Sequence, residues 1–240
     1  MTTTVLQLCR YPIKSHGQET VAHAYLEPGQ SFPFDRFWAV VDAARSPEPD
    51  GAGWAPCRNF LRGARSPDLM ALTAQLDESR MEVTVAHPEH GDITFAPDDP
   101  QDRTRFFDWL SKTLPVDGQQ PRQIMRAGSR GMTDTAFPSV SIMNMASHKA
   151  VVDAGGADQI DRWRGNIWLE GLPAWEECSW VGQRLRIGAA EFEVVEPIGR
   201  CRATEANTLT GRRDTNTLAI LRDQFGHTDF GMYARVIRAG

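Results

Sequence analysis

The run Ala190-Glu-Phe-Glu-Val-Val195 passes directly into Glu196-Pro-Ile-Gly-Arg-Cys-Arg-Ala-Thr-Glu-Ala-Asn-Thr-Leu-Thr-Gly211, and the change of character at Pro197 sets the reading of the chain. Residues 190–195 alternate apolar and polar, the period of a strand with one face in a core. After Pro197 the apolar run stops. Cys201 then appears between Arg200 and Arg202, followed by Thr204, Glu205, Asn207, Thr208 and Thr210. Most free cysteines are small core hydrophobes. A thiol among cations and hydroxyls is placed differently, because cations favour the thiolate, the form that attacks electrophiles and binds metals. Cys201 therefore reads either as a half-buried cysteine beside two surface arginines or as a reactive group.

Composition narrows the classes. The 240 residues carry 26 Lys and Arg against 31 Asp and Glu, a net charge of −5. That balance argues against nucleic acid or an anionic membrane as the main partner. With 41% hydrophobic and 24% charged residues the chain has the make-up of a soluble globular protein, one large domain or two modest ones. Cys9, Cys57, Cys178 and Cys201 form no Cys-x-x-Cys pair, which excludes a zinc ribbon or a thioredoxin-type motif, and nothing in their spacing suggests a disulfide framework. A reducing cytoplasm is the expected location. The start, Met1 to Tyr11, has no basic stretch followed by a long apolar core, so no secretory signal is expected. No apolar run reaches the roughly 18 residues of a membrane span. The absence of Gly-x-Gly-x-x-Gly and of a Gly-Lys-Ser/Thr loop leaves a nucleotide fold unsupported.

Strand patterns dominate the first half: Val5 to Tyr11, Val21 to Leu26, Arg36 to Asp42, Met70 to Leu76, Met81 to Ala86 and Asp92 to Phe95, a β-meander interrupted by a Pro- and Gly-rich loop over 46–56. Asp99-Pro100 opens the clearest helix, with Phe106, Phe107, Leu110 and Leu114 on one face and Pro115 as its stop. A boundary is expected over 115–131, broken by a short strand near Ile124. The second half restarts with Val140 to Met143, then a helix capped by Asn144 and ended by Gly155-Gly156. Strands follow at 167–169, 184–187 and 190–195, a helical turn at 173–178, a helix over 217–225 and a closing strand over 230–237. Many short strands with few helices describe a mainly β (α+β) chain built from barrels, not a βαβ sheet.

Three more stretches place cations and small polar groups where strands begin or end: Lys14-Ser15, Arg36, and Arg164-Gly165-Asn166. Such groups suit an anionic ligand, with charge from Lys and Arg and directional donors from Ser and Asn. Taken singly, each is an ordinary solvated charge. His87 and His90 with Asp92 sit in one tight hairpin and read as a surface turn, not a metal site. No Gly-x-Ser-x-Gly elbow is present, and Cys201 has no histidine near it in sequence, although His148 or His227 could fold beside it. Cys57, followed by Arg58, is a second thiol whose neighbours Trp54, Pro56 and Phe60 point to packing.

Arg10-Tyr-Pro-Ile-Lys-Ser15, Asp35-Arg-Phe-Trp-Ala-Val40, Arg164-Gly-Asn-Ile167 with Trp175-Glu-Glu and Val181-Gly, and Arg200-Cys-Arg-Ala-Thr204 with Thr210-Gly211 occur in an order and spacing that resemble the MOSC family. MOSC is named for the C-terminal domain of molybdenum cofactor sulfurase. The resemblance includes the N-terminal β-barrel domain that precedes it, and extends to the mitochondrial amidoxime-reducing component and bacterial two-domain MOSC proteins. It implies an N-terminal domain over 1–120 and a MOSC β-barrel with a few short helices over 121–240.

The resemblance further implies a molybdenum–molybdopterin cofactor, with Cys201 as the metal's thiolate ligand. It implies Lys14, Ser15 and Arg36 around the pterin phosphate, and Arg164 and Asn166 as contacts from the second domain. Ser139 or Ser141 takes the place of a further hydroxyl contact, and Arg200 and Thr204 flank the thiolate. Glu205 is a candidate proton donor. The activity implied is reduction of N-hydroxylated small molecules by a pyridoxal-phosphate-independent oxidoreductase. Its electrons would come from separate proteins, a ferredoxin, a flavoprotein reductase or a cytochrome b5-like partner, since no iron–sulfur domain follows. Two alternatives stay open: a sulfur carrier holding a persulfide on Cys201, and a protein that binds or delivers the cofactor without turnover. The chain stops at Ala239-Gly240 where such relatives usually continue with a Gly-Asp-x-Val segment, so one barrel strand is expected to be either missing or supplied otherwise.

Overall fold

The computed structural model describes residues 2–128 and 130–240. Its elements in chain order begin with β1 (Thr4–Arg10), β2 (Glu19–Val21), β3 (Trp38–Asp42), β4 (Thr73–Asp77), β5 (Glu82–His87) and β6 (Gly91–Phe95). Helix α1 (Pro100–Leu110) and β7 (Pro121–Arg126) follow, then β8 (Val140–Asn144), α2 (Met145–Asp153) and β9 (Ile167–Glu170). The chain finishes with β10 (Arg184–Ile187), β11 (Ala190–Gly199), α3 (Thr217–Ile220) and β12 (Asp229–Arg238). The fold is mainly β with a few short helices.

Strand pairing does not follow the sequence order of the two halves. The seven-stranded sheet runs β10-β11-β12-β8-β9-β1-β2, so the first two strands join the sheet of the second half. β1 lies antiparallel to β9, Leu8 opposite Ile167, and β8 lies parallel to β9 across the α2 connection. β3 pairs with β7, placing Val40 opposite Ile124. Only β4, β5 and β6 form the meander expected of the whole first half.

Two large cores result. Ile13, Trp38, Val40, Leu69, Val83, Val85, Phe95 and Phe106 fill one, with the rings of Phe95 and Phe106 stacked 4.1 Å apart. Val140, Ile142, Ile167, Phe192, Val194, Met232 and Ala234 fill the other, the alternate residues of paired strands. The helix starts are as the caps dictate. Asp99 accepts from the amides of Gln101 and Asp102 at 2.9 Å each, and Asn144 accepts from the Ala146 amide at 2.9 Å.

Several expected elements differ. The strand at 21–26 is confined to Glu19–Val21, because residues 22–25 are not buried and Leu26 instead exchanges backbone bonds with Gly240. Pro67 turns residues 67–71 into a 3-10 turn, which delays the strand there to Thr73. The helix at 217–225 is α-helical only to Ile220, then widens into a π turn capped by Gly226. Arg36 stands outside β3 in a left-handed conformation, φ 52°.

Candidate functional site

A cavity of about 300 Å³ opens where the turn after β1, the loops ahead of β3, β8 and β9, the loop at 57–64 and the end of β11 meet. Lys14, Ser15, Arg36, Ser139, Arg164, Asn166, Arg200, Cys201 and Thr204 all line it. Ser141, the alternative to Ser139, lines it too. Residues scattered over nearly two hundred positions of sequence are thereby one site.

One wall comes from the N-terminal half. Pro12 ends β1, and the turn is stitched to β3 by Trp38 N–H donating to the Pro12 carbonyl at 3.0 Å and Lys14 N–H donating to the Trp38 carbonyl at 2.8 Å. Gly17, at φ 80°, closes the turn; a Cβ there would lie 2.5 Å from the Thr73 carbonyl carbon, so only glycine fits. Lys14 is buried, and its Nζ donates to the Met132 carbonyl at 2.7 Å and to Asp134 Oδ1 at 2.5 Å. Ser15, Arg36 and Arg164 share left-handed φ values of 66°, 52° and 54°. Strained backbone of this kind persists where the surroundings over-determine it, and it clusters at functional sites.

Tyr11 is the platform for two of the cations. The Arg36 and Arg164 guanidinium groups lie 4.7 and 4.2 Å from its ring centre. Its hydroxyl donates to the Gly165 carbonyl at 3.1 Å, and its amide donates to Asp35 Oδ1 at 2.9 Å. The other Asp35 oxygen receives Arg36 Nη1. Burial works against the Arg36 charge, but Asp35 and then Asp134 outweigh it and raise that guanidinium above its ordinary pKa. Arg164 has no carboxylate partner among the described residues, and burial, with Arg36 beside it, brings it down to about 10. Enclosure would push the Asp134 carboxyl up, yet Lys14 and the two arginines hold it below its usual value.

Asn166 is largely committed to the fold. Its Oδ1 accepts from Ser141 N–H at 3.0 Å and Ser141 Oγ at 2.8 Å, and its Nδ2 donates to the Cys9 carbonyl at 3.2 Å. It locks β8, β9 and β1 together at the cavity floor.

The other wall carries the thiol. Cys201 is exposed and caps a 3-10 turn over Arg202–Glu205; its carbonyl accepts from Thr204 N–H at 3.1 Å and Thr204 Oγ1 at 3.0 Å. Thr204 therefore holds the backbone of Cys201 in place. Arg200 donates to the Trp163 carbonyl at 2.7 Å and to the Phe230 carbonyl at 2.8 Å, and burial brings it down to about 10. This segment docks on the N-terminal half. Arg213 Nη2 donates to the Ala64 carbonyl at 2.7 Å, and Gly211, at φ 70°, lets the backbone approach Asp68 where a Cβ would come within 2.5 Å.

Three expectations are corrected. Glu205 does not line the cavity; its carboxylate receives Arg202 Nε at 2.9 Å and lies 3.7 Å from Arg213 Nε, so it pins the turn and is not placed to donate a proton. Arg202 is accordingly drawn away from the thiol, leaving Arg200 as its one flanking cation on the wall. Cys57 lines the cavity instead of belonging to packing alone. Neither His148 nor His227 lines it, so no histidine partner for Cys201 is assembled. The rings of His87 and His90 are stacked 4.4 Å apart, and no group of three His, Cys, Asp or Glu side chains among the described residues converges on a metal position.

The sequence reading missed Tyr11, Asp35, Asp134, Arg62 and Tyr233 as cavity-shaping residues. Tyr11 and Asp35 stand inside the quoted motifs, but a tyrosine and an aspartate at strand ends carry no signal of a stacked guanidinium pair. Burial raises Tyr233 to about 12, so its phenol stays protonated on the cavity wall. Six cations of the lining, from Lys14 to Arg200, face two carboxylates, Asp35 and Asp134, in a chain whose net charge is −5. Arg62, Arg164 and Arg200 are half-buried and have no carboxylate partner among the described residues, and cations withdrawn from water without counter-ions are stabilised when an anion joins them. The cavity is built for one.

The chain is similar to known proteins over nearly its whole length. The family model of the MOSC N-terminal beta barrel domain matches residues 2–118, and that of the MOSC domain matches residues 135–240. Molybdenum cofactor sulfurase 1 of Aedes aegypti is 24% identical over 94% of this chain and 33% of its own length. Molybdenum cofactor sulfurase of Caenorhabditis briggsae is 35% identical over 53% of this chain and 18% of its own length. The Drosophila mojavensis molybdenum cofactor sulfurase is 31% identical over 52% of this chain and 17% of its own. The chain spans a third or less of the length of these relatives.

Proposed function

Because the chain belongs to the MOSC family, with the MOSC N-terminal β-barrel domain ahead of the MOSC domain, we propose that it binds the molybdenum–pterin cofactor and reduces N-hydroxylated small molecules. One observation carries this reading: a single cavity holds an exposed thiol, Cys201, and a set of half-buried cations that outnumber the carboxylates lining it. A soft thiolate suits molybdenum, and the cations suit a pterin phosphate. The donor set fits the group. Lys14, Ser15, Arg36 and Arg164 would take the phosphate, Cys201 the metal, and Ser139 and Asn166 the polar edge of the pterin.

When bound, the cofactor supplies two-electron reduction at molybdenum. The chain's own part is to exclude water from the cationic wall, to hold Cys201 through Thr204, and to keep a protonated phenol, Tyr233, at the cavity surface. Electrons come from separate redox proteins, a ferredoxin, a flavoprotein reductase or a cytochrome b5-like donor, in a cytoplasmic setting. No helix among the described residues is long and apolar enough to cross a membrane.

The test is elemental analysis of protein expressed in a host that makes the cofactor, beside Cys201→Ser. Molybdenum near one atom per chain, reduced at least about tenfold in the variant with its melting temperature unchanged, is the expected result, followed by turnover of an amidoxime with a chemical electron donor. Wild-type protein without molybdenum overturns it. The relatives' name, molybdenum cofactor sulfurase, supports a second reading in which Cys201 carries a persulfide sulfur destined for the cofactor. A persulfide on Cys201, detected by mass spectrometry in molybdenum-free protein, would select that reading.

A further inference from the structure

Arg62 lines the cavity, in the loop that also brings Cys57, Gly63 and Ala64 to the lining. Its Nε is buried and makes no hydrogen bond, and its guanidinium has no ion pair among the described residues. The other lining cations each have a partner, although those of Arg164 and Arg200 are not carboxylates. Lys14 holds Asp134, Arg36 holds Asp35, Arg162 holds Asp214, Arg164 stacks on Tyr11, and Arg200 is tied to backbone carbonyls.

The backbone around Arg62 is built, not loose. The Arg62 amide donates to Gln119 Oε1 at 3.1 Å, and Gln119 is itself buried and donates to Asp42 at 2.7 Å and to the Phe60 carbonyl at 3.1 Å. Gly63 packs against Met70, where a Cβ would come within 2.6 Å, and that same Cβ position lies 3.6 Å from Ala203, two residues past the thiol. Arg62 thus stands on the cavity wall, fixed at its backbone, with a guanidinium charge that no carboxylate among the described residues answers.

We propose that Arg62 is the substrate's anion-recognition residue, so that the molecule acted on at Cys201 carries a carboxylate or phosphate of its own. This rests on the reading that the cofactor occupies the corner of Lys14, Ser15, Arg36 and Arg164. Arg62, in a separate loop of the lining, is then left for the second ligand. A guanidinium matches either oxyanion through two parallel N–H donors, which a lysine cannot reproduce.

The experiment is equilibrium binding of benzamidoxime and 4-carboxybenzamidoxime to the molybdenum-loaded protein, without an electron donor so that nothing turns over. Wild type is expected to bind the carboxylate about tenfold more tightly than the neutral compound. Arg62→Gln is expected to erase that preference while keeping its molybdenum, and Arg62→Lys to keep only part of it. Equal dissociation constants in wild type overturn the proposal, as does a preference that survives in Arg62→Gln. Loss of molybdenum from Arg62→Gln also overturns it, since Arg62 would then belong to the cofactor. A wild-type protein that binds the carboxylate with the expected preference but turns neither amidoxime over on adding reductant would sink the proposed reduction and leave the anion site standing.

Discussion

The two walls of the cavity present their charges in opposite ways. On the N-terminal wall nearly every charge is answered: Lys14 by Asp134, Arg36 by Asp35, and Arg36 and Arg164 by the face of Tyr11. Elsewhere in the lining Arg62 has no ion pair among the described residues, Arg200 meets backbone carbonyls and the rings of Trp163 and Phe230 but no carboxylate, and Cys201 is open to solvent. The difference separates a surface shaped in advance from one completed by its ligands. Paired cations hold geometry without help, whereas an unpaired buried donor gains most when something binds.

The sharpest way to break that contrast is to remove the answer on the first wall. Asp35 is buried, and its two oxygens take Arg36 and the Tyr11 amide. Asp35→Asn keeps the shape but leaves Arg36 uncompensated, and is expected to cost about 4 kcal/mol of stability. Arg62→Gln, on the open wall, is expected to stay within about 0.5 kcal/mol of wild type. Urea denaturation midpoints decide it. Similar losses in both variants would mean the walls do not differ.

Next in size is a pH effect lodged behind the paired wall. His16 is buried against Phe106, its Nδ1 lies 2.7 Å from the Lys14 carbonyl, and its Nε2 has no partner. Burial, followed by Arg164, pulls it from 6.5 to about 4, while the Lys14 carbonyl partly offsets this. The unfolded chain takes up that proton below 6.5 and the folded one does not. The stability contribution is therefore whole above pH 6.5 and falls by about 3 kcal/mol as the pH drops toward 4. His16→Gln should flatten the pH dependence of the denaturation midpoint over that window; an unchanged slope would place the effect elsewhere.

The smallest effect refines the role of the platform. Tyr11→Phe keeps the ring under both guanidinium groups and loses only the hydroxyl bond to Gly165. About 1 kcal/mol of stability is expected to go, with molybdenum content retained. A drop in molybdenum as large as that of Cys201→Ser would instead make the phenol part of the cofactor's own contacts.

Much of this molecule was legible before folding. The helix caps Asp99 and Asn144 declare themselves because a cap is a local bargain between one side chain and the amides just ahead of it. The strand pattern at 190–195 shows its buried face by its period alone. The short motifs around Lys14, Arg36, Arg164 and Cys201 marked the candidate site and its family resemblance, since each sits where a strand begins or ends beside a polar turn.

What the tertiary structure alone decided is which of these polar groups are free to act. Glu205 read as a proton donor until its ion pair with Arg202 turned it away from the cavity, and Cys57 read as packing until its loop folded onto the wall. The joining of β1 and β2 to the second half's sheet was likewise hidden, because strand partners are set by long-range burial and not by neighbours in sequence. Residue type and local pattern fix what a side chain can do. Whether a cation is answered by a carboxylate or left for a ligand depends on what the rest of the chain brings within a few ångströms, and no local pattern carries that distance.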